Sequence, residues 1–202
     1  MTIAWSPRVR QVGDAAIAVL AEQGARGLTH RAVDAAAGLP PGTTSNYART
    51  RAALLTLALA RIAELDTADG VRHVPGSQDP PDDPVSPFRL AEGLAWMLHR
   101  MITDAATRRR VLARFELAFE AARRPELRAA YDEMGQDFRD QAARLLAAVG
   151  SVEPERDAWT LIAWMEGTAF YALAGAGGPA APTADTMRTQ LTGLIMSMCD
   201  LT

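Results

Sequence analysis

The chain has 202 residues, of which 49% are apolar, which is enough for a hydrophobic core in one large domain or two small ones. Its formal net charge of −3 excludes a uniformly basic nucleic-acid-binding protein. Aromatic residues make up 6% of the chain while Ala is abundant, and this favours helix over sheet. The single cysteine, Cys199, excludes an internal disulfide framework.

The two ends of the chain differ in charge. Residues 1–55 carry six Arg against three acidic residues, whereas the remainder carries 15 Arg against 21 acidic residues. A basic end on an acidic body predicts an anionic partner at the N-terminal end.

No segment has the pattern of a targeting signal or a membrane span. The N-terminal sequence MTIAWSPRVRQ lacks the apolar core of a signal peptide. The most apolar stretch, residues 161–176, is short for a span and contains Glu166. These patterns predict a soluble cytoplasmic protein without a membrane partner.

Apolar residues at three- and four-residue spacing predict a series of helices at the N-terminal end. These helices are expected at residues 7–23, 29–37, 40–48 and 51–68. Gly24 is expected to end the first of them.

The rest of the chain has the same helical periodicity on both sides of one polar segment. Residues 69–86 are rich in Pro, Asp and Gly and predict an exposed loop. Further helices are expected at residues 87–103, 105–123, 125–150, 154–175 and 183–200. Because no strand pattern competes with these helices, the sequence predicts an all-α fold.

The stretch GLPPGTTSNYARTR, residues 38–51, lies between two predicted helices and is crowded with short polar side chains. Two short helices joined by a turn that contains Gly38 are typical of a helix-turn-helix, whose second helix enters the major groove of DNA. Short hydroxyl and amide side chains can bond base edges or phosphates, and free N–H groups at a helix start favour a phosphate. A polar turn without a ligand is the alternative interpretation.

Within this region we also expect two other kinds of DNA contact. Gly42 permits close approach of the backbone, and Arg31, Arg49 and Arg51 can neutralise phosphates. The predicted DNA-binding residues are Thr29, Arg31, Pro41, Gly42, Thr43, Thr44, Ser45, Asn46, Tyr47 and Arg51.

The run GLTHRAVDAAAGLPPGTTSNYARTRAALL resembles the DNA-binding segment of TetR-type transcriptional regulators. The matching positions are Thr29, Val33, Ala37, Gly38, Leu39, Gly42, Thr43, Leu54 and Leu55. The resemblance implies an N-terminal three-helix helix-turn-helix domain, residues 1–50, and a helical ligand-sensing and dimerisation domain, residues 51–202. It also implies a homodimer that binds a pseudo-palindromic double-stranded DNA operator, usually as a repressor.

The same resemblance implies release of the DNA by a small-molecule effector, for which we expect an apolar or amphipathic compound. We expect the effector to tilt the helix 51–68, which joins the two domains, and so to change the spacing of the two DNA-binding domains in the dimer.

The sequence departs from the usual pattern of this family at five positions. Asp34 replaces a usual Ala, Ser45 a common Tyr and Tyr47 a common His. Ala48 stands where a buried Phe is usual, and Arg51 stands where a phosphate-contacting Lys is usual. These departures affect which operator sequence is expected, not the expected DNA-binding role. A helical interaction protein of the same fold that has lost operator binding is the alternative, and Ala48 is its support.

By resemblance, the last two helices pack against those of a second subunit. The predicted dimer-interface residues are Trp164, Phe170, Leu191, Leu194, Ile195 and Met198, and ordinary core is the alternative for them. The predicted ligand-binding residues are Trp96, Met97, Met101, Phe115, Phe119, Trp164, Met165 and Tyr171, with Arg114, Glu116, Glu120 and Glu166 as polar anchors. For these too, core or solvated surface is the alternative.

No arrangement of residues indicates catalysis. A helical di-iron protein would need Glu-x-x-His pairs, and none of His30, His73 and His99 has a Glu three residues before it. There is no nucleophile elbow, phosphate-binding loop or Cys-rich metal site. We therefore expect no enzyme activity, cofactor or metal, and we expect His30 on the DNA-facing or solvent side of the second helix.

Overall fold

The computed structural model describes residues 5–73 and 86–199, and this part of the chain forms eight α-helices and no strand. The helices are α1 Pro7–Gly27, α2 His30–Ala36, α3 Arg51–His73, α4 Pro87–Thr103, α5 Ala105–Ala121, α6 Pro125–Ala148, α7 Pro154–Leu173 and α8 Ala184–Met196. One isolated bridge pairs Ser151 with Cys199. The predicted all-α fold is confirmed.

Side-chain caps fix where several helices begin. The hydroxyl groups of Ser6, Ser86 and Thr183 each accept the N–H of the residue three positions later, with oxygen–nitrogen distances of 3.2, 3.3 and 3.2 Å. Pro7 and Pro87 occupy first-turn positions, where the missing N–H has no helical partner to lose.

The end of α1 is interrupted rather than simply terminated. Gly24 has φ 67° and ψ −179°, so the helical backbone breaks there as expected, and the chain then makes one further turn to Gly27. This combination of angles is open essentially to glycine alone.

The third predicted helix, at residues 40–48, is wrong as an α-helix. The structure has a 3₁₀ helix of three residues, Thr44–Asn46, preceded by turns. The φ of Gly42 is 89°, which is incompatible with a helix running through this position.

Helix α3 is longer than predicted. It continues to His73, so the expected loop at 69–86 is wrong for residues 69–73, and residues 74–85 lie outside the described part of the chain. An isolated Gly70 is tolerated in a helix, and the first proline follows only at position 75.

The chain divides into two compact units. One comprises Met1–Asp66 with Arg109–Met134, and the other comprises Thr67–Arg108 with Gly135–Thr202. Helices α3, α5 and α6 contribute residues to both units. The domain boundary expected after residue 50 stays a prediction.

The first unit has an aliphatic core and a salt-bridge network between α1 and α3. The largest fully buried side chains of α1 to α3 are Leu20, Leu28, Leu54, Leu55 and Ile62. Arg61 pairs with Asp14 at 2.7 Å and with Glu64 at 2.6 Å, and Arg10 also reaches Glu64 at 2.8 Å. A Cβ on Gly13 would lie 2.9 Å from Cγ of Arg61, so glycine lets the arginine lie against α1.

The core of the second unit is built chiefly from α4 and α8, with α7 also packed against α4. Leu191, Ile195 and Met198 are buried there within a single chain. Leu191 and Ile195 on α8, and Met198 just after it, therefore fit the alternative that the sequence left open, ordinary core, and the dimer interface itself stays a prediction. Phe170 is exposed, and Leu194 and Trp164 are half-buried.

Candidate nucleic-acid interface

The residues between α2 and α3 that precede Ala48 form the reading segment, defined here as Pro41–Tyr47. Its turns close through backbone hydrogen bonds from the N–H of Asn46 to the carbonyl of Thr43, 3.1 Å, and from the N–H of Tyr47 to the carbonyl of Thr44, 3.0 Å. The segment is therefore a short, internally bonded turn rather than a free loop.

A buried carboxylate lies beneath the start of the reading segment. Asp34, on α2, is 2% exposed. Its Oδ2 accepts the N–H of Gly42 at 2.7 Å, and its Oδ1 accepts the N–H of Thr44 at 2.7 Å and the hydroxyl of Thr44 at 2.6 Å. One carboxylate thus satisfies three donors of the segment. The sequence marked Asp34 as a departure from the usual Ala without giving it this role.

The hydrogen bonds keep Asp34 ionised. Burial raises the pKa of this carboxyl, but the bonds from Thr44 and Gly42, together with the nearby His30, outweigh burial and hold the pKa below its ordinary value of 3.8. A carboxylate that accepts several hydrogen bonds has its charged form stabilised, which is why a charge is tolerated here.

Two expectations for the reading segment are wrong. Thr44 is 0% exposed and donates its hydroxyl to Asp34, so its side chain is not available to DNA. The free N–H groups expected to favour a phosphate are also absent at Gly42, Thr43 and Thr44. The first and third donate to Asp34, and the N–H of Thr43 donates to the carbonyl of Pro40 at 3.2 Å.

His30 holds Ala48, the residue that directly follows the reading segment. Its Nε2 lies 2.5 Å from the carbonyl oxygen of Ala48, and because a carbonyl only accepts, the ring nitrogen is the donor. The expectation that His30 faces DNA or solvent is therefore wrong. His30 and Asp34 are four residues apart on α2, so one face of that helix anchors both ends of the segment.

Ser45, Asn46 and Tyr47 are the side chains that the reading segment presents. Asn46 and Tyr47 are exposed, the latter by 45%, and Ser45 is half-buried. None of the three donates or accepts a side-chain hydrogen bond among the residues described here. The hydroxyl of Thr43 donates to the carbonyl of Pro40 at 2.6 Å and keeps its acceptor capacity.

Of the remaining predicted DNA contacts, some side chains are exposed and others are bonded within the fold. Arg31 and Arg49 are exposed. The hydroxyl of Thr29 caps α2 by accepting the N–H of Ala32 at 3.1 Å. The guanidinium of Arg51 donates to backbone carbonyls instead of extending into solvent, and this is the function of that side chain in the structure.

The break in α1 is held from two sides. Arg51 donates through Nη1 to the carbonyl of Leu28 at 2.6 Å and through Nη2 to the carbonyl of Ala25. Glu116, on α5, accepts the N–H of Ala25 at 2.9 Å. Glu116, predicted as a polar anchor for a ligand, therefore anchors the residue after Gly24.

Of two other predicted polar anchors, one forms ion pairs within the fold and the other is buried. Glu120 pairs with Arg124 at 2.8 Å and Arg123 at 3.1 Å, and Arg114 is buried. The fourth, Glu166, is exposed on α7.

The second unit contains a groove of about 410 Å³ beside α7 and α8. It includes two of the predicted ligand-binding residues, Trp164 and Tyr171, with Thr168 and Gln190 as polar lining. Among the other candidates, Met165 is buried and Trp96 lies beneath the guanidinium of Arg100, 5.0 Å from ring centroid to Cζ. Met97 and Met101 are half-buried on α4, and Phe115 and Phe119 belong to the first unit.

Helix α7 has an exposed apolar face that includes a residue the sequence analysis missed. Trp159 is 65% exposed, and Phe170, three turns later, lies on the same side of the helix, with the exposed Glu166 between them. Tyr171 is also exposed, about 100° further round the helix. Ala163 and Gly167 lie between Trp159 and Phe170 and are also exposed. The signal was present in the sequence, because α7 is apolar nearly all round and one chain can cover only part of it.

An all-α chain with an anchored polar segment between a short helix, α2, and the longer α3 near its N-terminal end fits the architecture of a helix-turn-helix regulator. The sequence model described as "Tetracyclin repressor-like, C-terminal domain" matches residues 85–197. The chain belongs to the TetR family of transcriptional regulators.

Solved structures with similar folds cover nearly the whole chain. Multidrug binding protein EbrR, complexed with ethidium, is 30% identical, with 93% of this chain and 98% of that chain covered and a TM-score of 0.65. A TetR-family member from Streptomyces coelicolor A3 is 26% identical, with coverages of 94% and 98% and a TM-score of 0.70. A transcriptional regulator from Rhodococcus sp. Rha1 is 23% identical, with coverages of 94% and 95% and a TM-score of 0.74.

No curated protein matches the chain. Among the residues described, none of the helices combines the length and the apolar character needed to cross a membrane.

Proposed function

We propose that this chain is a homodimeric repressor of transcription that reads a pseudo-palindromic DNA operator and releases it when a small molecule binds. The observation that carries DNA reading is the reading segment itself. Ser45, Asn46 and Tyr47 are presented without side-chain partners among the described residues, on a backbone anchored by Asp34 and His30. Polar side chains on a backbone anchored in this way suit base recognition, because little ordering is left for the bound state.

The proposed contacts follow from side-chain chemistry. Asn46 suits a bidentate bond to adenine, and Ser45 can serve either base type. Arg31 and Arg49 neutralise phosphates, which supplies affinity without sequence information. In a dimer, two such segments separated by one helical turn of DNA, roughly 35 Å, would read two half-sites.

The homodimer rests on the exposed face of α7. Trp159 and Phe170 offer large apolar surface, while Ala163 and Gly167 between them leave room for the side chains of a second copy. The adjoining groove, with Tyr171 at its edge, accepts an apolar side chain from that copy. A self-complementary patch of this kind fits a two-fold dimer.

The effector is proposed as an apolar or amphipathic molecule bound by side chains of the second unit. Ethidium, in the complex of the 30% identical protein, is a flat amphipathic cation. In this chain, Trp96, Met97 and Met101 on α4 and Trp164 and Met165 on α7 are candidate contacts, because these two helices pack together. Binding would tilt α3, which contributes residues to both units, and so weaken operator binding. A cytoplasmic location follows from this role.

Selection of duplexes from a random DNA pool tests the proposal. Purified protein at fixed, near-physiological salt should recover a pseudo-palindrome with half-sites about one helical turn apart. Asn46→Ala is the informative variant, because its exposed amide has no partner in the described fold. If folded wild-type dimer enriches no sequence over the input pool, DNA reading is wrong.

The alternative, an interaction protein that has lost operator binding, loses its support from Ala48. This residue is buried, and its carbonyl accepts a hydrogen bond from His30. The position is therefore packed and bonded with Ala in place.

A further inference from the structure

Asp34 lies under the reading segment rather than on its outer surface, and its carboxylate bonds to the segment at two separated points. We propose that Asp34 is a positioning residue that determines which side chains of the reading segment address the DNA bases. The inference rests on the DNA-binding function proposed above and concerns the specificity of the same site. Asp34 is 2% exposed, so it acts through the segment and not by contact with a base.

The bonding pattern requires a carboxylate. Oδ2 accepts from Gly42, and Oδ1 accepts twice from Thr44. A carboxylate presents acceptors on both oxygens, whereas an amide presents a donor group on one side. Asn at this position would therefore set an NH₂ group against the N–H of Gly42 or against the two donors of Thr44. Ala, the residue usual in the family, would leave all three donors without this acceptor.

The pinned conformation decides the orientation of the following residues. Because the Thr44 hydroxyl is drawn inward onto Asp34, the next two positions of a 3₁₀ helix, about 120° apart, carry Ser45 and Asn46 away from that direction. Without this bond the segment can rotate about its axis and present Thr44 in place of its neighbours. The bond from His30 to the carbonyl of Ala48 fixes the far end, so rotation at the start is what Asp34 prevents.

The charge of Asp34 also affects the choice of ligand. Free N–H groups of Gly42 and Thr44 at the start of the segment could bind an anion. Both groups instead donate to the carboxylate of Asp34. A phosphate is therefore disfavoured at this point, and the segment is left to approach base edges while exposed arginines approach the backbone of the DNA.

The test compares Asp34→Asn and Thr44→Val with the wild-type protein, and Thr44→Ser is the conservative variant that keeps the hydroxyl. Dissociation constants are measured at one salt concentration for the selected operator and for a scrambled duplex of the same length. We expect Asp34→Asn and Thr44→Val to weaken operator binding by about tenfold or more, because each loses a hydrogen bond to a charged group. Binding to the scrambled duplex, which depends on phosphate contacts, should change less than about threefold. Thr44→Ser keeps the hydroxyl that bonds to Asp34 and should retain the wild-type preference for the operator.

A change in the ratio of the two dissociation constants is the readout that a merely structural role would not produce. A parallel random-pool selection with each variant should also recover an altered half-site. Equal loss of affinity for both duplexes, or operator binding within about twofold of wild type in both variants, would overturn the positioning role. If Asp34→Asn lacks the helical circular dichroism of the wild type, it has not folded, and the comparison of Thr44→Val with wild type becomes the test of the positioning role. Thr44→Val leaves the carboxylate and two of its hydrogen bonds in place. If the wild-type protein itself does not prefer an operator, the proposed function fails, and this inference fails with it.

Discussion

Glu116 and Ala25 are joined by a hydrogen bond of 2.9 Å from the N–H of Ala25 to the carboxylate of Glu116, at the point where α1 breaks. The carbonyl of the same Ala25 accepts from Arg51. The backbone of one residue, Ala25, is therefore held through its N–H by α5 and through its carbonyl by α3. The position of α2, which begins at His30, depends on this junction.

Removal of the Glu116 carboxylate should destabilise the first unit. Glu116→Ala leaves the N–H of Ala25 without its acceptor, and we expect the free energy of unfolding to fall by about 1–3 kcal/mol. Glu116→Gln keeps an acceptor oxygen and should cost less. Glu22→Ala is the matched control, because the Glu22–Arg109 pair is exposed with a 3.6 Å separation and contributes at most about 1 kcal/mol. Urea denaturation measures all three, and equal losses for Glu116→Ala and Glu22→Ala would contradict the assignment.

Gly24→Ala should be destabilising for two reasons. Gly24 has φ 67°, where a side chain is strained, and a Cβ would lie 3.3 Å from Oε2 of Glu116. We expect a loss of about 1–3 kcal/mol in thermal or urea unfolding. Gly193→Ala, within α8 and with no atom within 4 Å of the added Cβ, should instead be neutral or stabilise by up to about 1 kcal/mol. The account of the α1 break is wrong if both substitutions have the same sign.

Ala48→Phe restores the residue usual in the family, and it should destabilise this protein. Ala48 is 1% exposed and is bonded to His30 through its carbonyl, so a phenyl ring would have to displace packed neighbours. We expect a cost of about 1–3 kcal/mol, seen as a lower melting temperature. A higher melting temperature would mean that the site has room that Ala does not fill.

Acid should destabilise the fold in part through Asp34. Its pKa is lowered below 3.8, so the folded chain holds this carboxyl deprotonated where the unfolded chain binds a proton. The contribution is fully present above the unfolded pKa and is lost as the pH falls through the lower folded pKa. Asp34→Asn cannot take up this proton. Its free energy of unfolding should therefore decline less steeply than that of wild type between about pH 5 and pH 3. Parallel curves would contradict the role of ionised Asp34.

Gly167→Arg should separate the proposed dimer without harming the single chain. A Cβ on Gly167 has no atom within 4 Å, and arginine favours helix more than glycine does. The long charged side chain would stand in the proposed interface between Trp159 and Phe170. Sedimentation equilibrium should show a dimer for wild type and a monomer for Gly167→Arg. Ala129→Arg, at an exposed position of α6, should stay dimeric. A dimeric Gly167→Arg would exclude this face.

The helices and their starts were predictable because their signals are local. A helix was predicted to begin at residue 29 from the apolar pattern that follows it, and Thr29 caps α2 in the structure. Leu191 was predicted at the dimer interface and is buried within its own chain. A stripe at helical spacing shows that one face of a helix is covered, but not whether its own chain or a partner covers it. Asp34 was not recognised because its partners lie eight and ten residues away across a turn. The backbone turn that brings these partners to Asp34 depends on the positive φ of Gly42, and hydrophobic periodicity in the sequence does not indicate such a turn.

Fluorescence anisotropy with the selected operator and a scrambled duplex at the same salt tests the central claim most directly, with wild type and Asn46→Ala compared side by side. We predict that wild type binds the operator at least about 10³-fold more tightly than the scrambled duplex. The Asn46→Ala variant should narrow that ratio by about tenfold, through loss of one base contact, while its binding to the scrambled duplex stays unchanged. Equal binding of both duplexes by folded wild-type dimer, or an Asn46→Ala variant with the wild-type ratio, would contradict DNA reading by this segment.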